Sequence, residues 1–254
     1  MSDTENLLEK ARQMVKKAGT WDIVIRLLGG VAVVSLSEDI YQRFPMLRRT
    51  PHDIDFMGYS RQSRGISKFF TTDTGFTADQ RFNALFGNQR LKFYDSSDEN
   101  NPMVIDVFLD KFRQSHDLPL LHRLQLNEFT ISPTDLLFTK LQIWEINEKD
   151  ILDILSLLVK FEPSGESNAG FIEIARIEEL VGSDWGLWKT SMLNLDRTEK
   201  FIGGSGKFSS LDSLTAPRIA SIRNAIQNCR KTVSWKMRSL IGEKIQWYET
   251  PEEV

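Results

Sequence analysis

Apolar residues recur at helical spacing through residues 3–18, and Gly19 stands where such a helix would stop. A short apolar run over residues 23–28 reads as a buried strand broken by Gly29-Gly30, and residues 31–39 continue as a helix. A second strand is predicted over 54–59, with two more over 90–94 and 103–109. The polar stretch 95–102 separates the last two, so a hairpin is expected there. A fifth, weaker strand is expected over 128–131.

From Pro133 onward the pattern turns almost wholly helical. Ser132-Pro133-Thr134-Asp135 has proline at the first helical position and a carboxylate at the third. Asn147-Glu148-Lys149-Asp150 repeats the device at the head of a helix running through residue 159. Polar stretches bearing Gly and Ser at 163–170 and 203–213 are expected to separate further helices. The expected fold is therefore α+β, loosely α/β. A small mixed sheet flanked by helices occupies residues 1–132, and a helical lobe follows over 133–254.

The 254 residues are 41% hydrophobic and 26% charged, which suits one large domain or a core with an appended helical domain. A formal net charge of −3 argues against wholesale nucleic-acid binding but leaves room for a local basic surface. Residues 217–248 supply one, with seven Lys/Arg against the single acid Glu243 and with Trp235, Trp247 and Tyr248 interleaved. That composition suits an RNA-contacting face, and suits still better a basic outer helix whose tryptophans belong to the core. The single cysteine, Cys229, rules out a disulfide framework within the chain and a thiolate zinc site, and points to a reducing compartment. The first residues are polar and acidic, unlike a secretory signal, and Arg26 interrupts an apolar stretch too short to span a bilayer. A cytoplasmic location with no membrane partner is expected.

The chemistry centres on Asp53-Ile54-Asp55 at the head of the second strand. Alternation sends both carboxylates to one face and Ile54 into the core. Two neighbouring carboxylates repel unless a cation lies between them, and Mg²⁺ (or Mn²⁺) is commonly held by a few carboxylates together with substrate phosphates. Asp106 is a third carboxylate in the otherwise apolar strand 103–109, where an unpaired acid would be costly. Asp53, Asp55 and Asp106 are thus the candidate metal ligands, able to serve two ions. Asp106 is the candidate general base, or else a structural acid paired with an arginine. Gly29-Gly30, between strand and helix, lets the backbone approach a phosphate at a helix N-terminus.

Gly29-Gly30, then Arg49-Thr50-Pro51-His52-Asp53-Ile54-Asp55, then Ile105-Asp106-Val107, resembles the signature of the DNA polymerase β-like nucleotidyltransferases. The later runs 132–142 and 148–153 are similar to the branch that contains abortive-infection toxin nucleotidyltransferases. The resemblance is strongest over about residues 23–160. It implies a Mg²⁺-dependent enzyme that transfers NMP from an NTP to an acceptor hydroxyl. Lys140 would touch the triphosphate, Asp153 (or Asp150) would complete the site, and Gly29, Gly30 and Arg49 would serve nucleotide binding. The acceptor is RNA, such as a tRNA 3′ end, or a protein or small molecule as in antibiotic nucleotidyltransferases. A non-catalytic member that binds nucleotide or a partner is the alternative, and an antitoxin partner is a further expectation of the branch. Many members carry Gly-Ser where this chain has Gly29-Gly30, which removes one hydroxyl contact to phosphate.

Overall fold

The alternating strands build a five-stranded mixed sheet in the computed structural model, which describes residues 3–95, 103–166, 168, 170–204 and 206–250. Helix α1 (Asp3–Gly19) leads into β1 (Ile25–Leu28) and α2 (Gly29–Ser37). Then come β2 (Ile54–Gly58), α3 (Ser63–Lys68), β3 (Thr77–Ala78), α4 (Gln80–Phe86), β4 (Arg90–Asp95) and β5 (Met103–Leu109). The strand order is β1-β2-β5-β4-β3, with β2 and β5 parallel and the other neighbours antiparallel. β4 and β5 pair as their adjacency suggests; the connection expected at 95–102 lies, beyond Asp95, outside the described residues.

Period-2 alternation divides this sheet into two unlike faces. One carries Ile25, Leu27, Ile54, Phe56, Leu91, Phe93, Ile105 and Val107, all buried. Phe70, in the turn after α3, seals it by stacking on Phe93 at 4.8 Å and lying 5.8 Å from Phe56. Each such side chain contributes about 1.5–3 kcal/mol through burial, so this face fixes the register. The other face carries Asp55, Arg90, Lys92 and Asp106 beside the buried Leu28, Met57 and Phe108.

The expected strand at 128–131 is not one. Only Thr130 bridges to β1, opposite Leu27, and the Leu27 N–H donates to the Phe129 carbonyl while Leu27 accepts from the Ile131 N–H. The Asn127 side chain accepts from the Phe129 N–H and bends the chain on one side. The helix beginning at Pro133 ends the extended run on the other. The fifth strand is instead the two-residue β3.

A second unit comprises residues 36–49, 113–118 and 133–254, the remainder forming the first. A division at residue 132 leaves 36–49 and 113–118 with the sheet, whereas they pack in the helical unit. Its helices are α5 (Pro133–Leu141), α6 (Glu148–Lys160), α7 (Ile174–Ser183), α8 (Trp185–Gly204), α9 (Ser209–Asn228) and α10 (Val233–Ile241). Asn147 and Asp150 close a reciprocal capping box at the head of α6, as the sequence predicts. The separator expected over 203–213 is much shorter, since α8 runs to Gly204 and α9 starts at Ser209. The described residues of the expected loop at 163–170 carry no helix, and a two-residue bridge of Pro163–Ser164 with Ile172–Glu173 enters it. Among the described residues no helix is long and apolar enough to cross a membrane.

Candidate active site

The parallel register of β2 with β5 places Asp55 directly beside Asp106. Residues facing each other in adjacent strands share a face at a spacing of about 4.8 Å, so the two carboxylates are neighbours. Asp55 is half-buried and Asp106 buried, while Asp53, one residue before β2, is exposed. The pair sits at the polar face, where the apolar alternation of both strands is interrupted once in each.

Asp106 is engaged by Arg90, whose Nε and Nη2 donate to its two carboxylate oxygens at 2.8 Å each. Such a fork is the stronger kind of charge-assisted hydrogen bond. The guanidinium also lies 4.6 Å over the Phe108 ring and 5.6 Å from that of Phe82, which holds its plane. Lys92 stands directly opposite Asp106 in β4. The sequence reading missed both cations as members of this face. The available signal was the lone acid in an apolar strand, which calls for a cation on the same face of a neighbouring strand. Arg90 and Lys92 are the alternating cations of the neighbouring strand.

Gly29 closes the site from the end of β1. Its φ is +68°, and a Cβ at this position would lie 2.2 Å from Asp55 Oδ2. The glycine is therefore required by backbone conformation and by the Asp55 carboxylate together. Gly29→Ala is expected to lower stability by about 2–4 kcal/mol through left-handed strain and overpacking, read as a lower urea midpoint. An unchanged midpoint would mean that Asp55 moves aside freely and that its position is not fixed by the turn.

The second unit gathers the remaining predicted residues. Arg49 donates to Asp153 through Nε and Nη2, at 2.6 Å each. Lys140 reaches Asp150 Oδ1 at 2.9 Å and Asp153 Oδ2 at 3.0 Å. All four groups are largely buried, Asp153 most, with a side chain 2% exposed. Burial favours the neutral form of Lys140, but the Asp153 and Asp150 carboxylates outweigh it and raise its pKa. Arg49 follows the same balance, burial opposing and Asp153 prevailing. An ammonium has three N–H donors, and these two ion pairs occupy two. Asp150 does double duty as helix cap and as partner of Lys140.

Magnesium is usually held by one or two carboxylates completed by waters and substrate phosphates. Among the described residues no group of three or more His, Cys, Asp or Glu could hold a metal ion by itself. Asp55 and Asp106 in register fit the first arrangement, a metal shared with a phosphate-bearing substrate.

No protein-family model matches the sequence, and no curated protein matches it. Among solved structures the chain is similar to an antigenic nucleotidyltransferase-like protein from Paracoccidioides brasiliensis. The identity is 12% and the TM-score 0.40, over 91% of this chain and 96% of that one. A likeness of this degree leaves the functional reading to the residues themselves.

The basic, aromatic C-terminal tract is placed by its rings. Tyr248 stacks on Trp144 at 4.1 Å, Trp247 meets Trp144 and Trp185 edge-on, and Trp235 meets Trp188 edge-on at 5.5 Å. Each aromatic side chain of the tract is therefore in contact with the unit's own rings, and all three are half-buried. His116 is buried, its Nε2 paired with Thr190 Oγ1 at 2.9 Å.

Proposed function

We propose that this chain is a metal-dependent nucleotidyltransferase that moves an NMP from an NTP to an acceptor hydroxyl. The observation that carries the reading is the register of Asp55 beside Asp106 on one polar face, with the Gly29 turn closed over Asp55. A Mg²⁺ or Mn²⁺ bound there would neutralise developing charge on the phosphates and acidify the attacking hydroxyl. Asp55 and Asp106 would hold it, with the exposed Asp53 just before the same strand.

The chain's own part is positioning and proton transfer. Asp106, once Arg90 releases one of its oxygens, accepts the proton of the attacking hydroxyl. The new O–P bond forms at the α-phosphate as the bond to pyrophosphate breaks, and pyrophosphate carries the electron pair away. Gly29-Gly30 lets the N-terminus of α2 come close to a phosphate. The roles that the resemblance gives to Lys140, Asp150, Asp153 and Arg49 belong to the same proposal, as does an RNA acceptor.

The test is incubation of the chain with each of the four α-phosphate-labelled NTPs, Mg²⁺ or Mn²⁺, and total RNA with cell extract. Label in RNA names both nucleotide and acceptor class; label in protein or a small molecule moves the acceptor there. Arg90's hold on both oxygens of Asp106 favours a second reading, a nucleotide-binding member without turnover. Nucleotide binding with no label transferred under any condition would establish that one.

A further inference from the structure

Helix α10 turns its apolar side away from the protein. Trp235 and Arg238 attach it to the unit, Trp235 against Trp188 and Arg238 over the Trp185 ring at 4.8 Å. Arg238 also donates to the carbonyls of Gly242 and Ile245 at 2.7 and 2.8 Å, and Thr232 caps the helix through the Trp235 N–H. The helix is therefore fixed along its back and at both ends.

At about 100° per residue, Val233, Met237, Leu240 and Ile241 fall on one arc opposite Trp235, with Arg238 beyond its Ile241 edge. They are 78%, 63%, 79% and 42% exposed, and Ile245 just beyond is 61% exposed. Among the described residues nine large apolar side chains are exposed, and these five are the majority. Scattered exposed apolar residues need no explanation, but a contiguous arc at i, i+4, i+7, i+8 does. Exposed Arg230, Lys236 and Lys244 flank it, and Glu243, the one acid between Arg230 and Tyr248, is bound by Lys189.

We propose that α10 is a docking ridge for an acidic amphipathic helix of another protein, with apolar side chains at i, i+4 and i+7 between Asp and Glu. Charge complementarity selects this occupant. A second copy would bring the same three cations to the interface without an acid to meet them, a repulsive arrangement. Recognition of anionic lipid calls for roughly four to eight clustered Lys/Arg, and the ridge has three exposed, with no aromatic residue on its arc. Its length, about 14 Å, matches two to three turns of a helix laid alongside.

The test is a random-peptide display selection on the full chain, counter-selected against the Met237→Glu, Leu240→Glu double variant. Both positions are exposed, so the variant's melting temperature should match that of the parent. The expected enriched peptides carry the apolar spacing with acidic flanks. A synthetic one should bind the parent at least tenfold tighter than the variant, and more weakly as salt rises. Enrichment that ignores the two positions, or that selects no acids, overturns the proposal. So does self-association in sedimentation that the variant abolishes, or variant-sensitive binding to phosphatidylserine vesicles with no peptide enriched.

Discussion

Replacing Asp153 with Ala is expected to lower the unfolding free energy by about 3–5 kcal/mol, the range for breaking a buried ion pair from one side. Asp153 alone serves two cations, taking both donors of Arg49 and one of Lys140. Without it Arg49 keeps its charge in a buried position with two donors unmet, and Lys140 retains only Asp150. At about 2–4 °C per kcal/mol for a chain of this size, the melting temperature should fall by roughly 6–20 °C. Asp150→Ala removes a helix cap and one of the two Lys140 bonds but leaves Arg49 paired, so it should cost less. Urea unfolding of the two variants checks the ranking. Equal losses would mean that the Arg49 pairing contributes nothing. The Arg49→Met, Asp153→Leu double variant should recover part of the loss, because removing both partners leaves no stranded charge.

Asp55→Asn is expected to reduce kcat/KM for NMP transfer by about a thousandfold, near 4 kcal/mol of transition-state stabilisation, while the melting temperature stays close to the parent's. Asn keeps the size of the side chain, so the close approach to Gly29 is preserved and the lost charge is what the experiment reads. Asp53→Asn should cost less, because Asp53 is exposed and lies outside the register that joins Asp55 to Asp106. Full activity in Asp55→Asn would remove the carboxylate pair from the mechanism. A fall in stability equal to the fall in activity would make Asp55 a structural residue.

Much of the sheet was legible because alternation is a local signal. β5 matches the predicted run at both ends, and β2 and β4 each differ from theirs by a residue at one end. The expectation that Asp106 faces the same site as Asp55 followed from the cost of an unpaired acid in an apolar strand, but their parallel register did not. Register depends on which strands meet, and β2 and β5 meet across some fifty residues of intervening chain. The Arg49–Asp153 pair was invisible for the same reason, with partners 104 residues apart and no spacing rule to join them. The strand expected at 128–131 failed because β propensity says nothing about whether a neighbouring edge is long enough to extend the pairing. Nor does a run of Gly and Ser after residue 203 reveal how soon the next helix resumes.

The sheet ends differently at its two sides, and both ends bear on how the protein can associate. On the β1 side, the outward N–H and C=O of Leu27 are already satisfied by residues 129 and 131. On the other side the outermost strand is two residues long. Among the described residues, neither margin offers a row of vacant amides on which a foreign strand could template, the usual route to amyloid-like stacking or strand exchange. Association at the two margins of this sheet would therefore rest on side chains rather than on added strands.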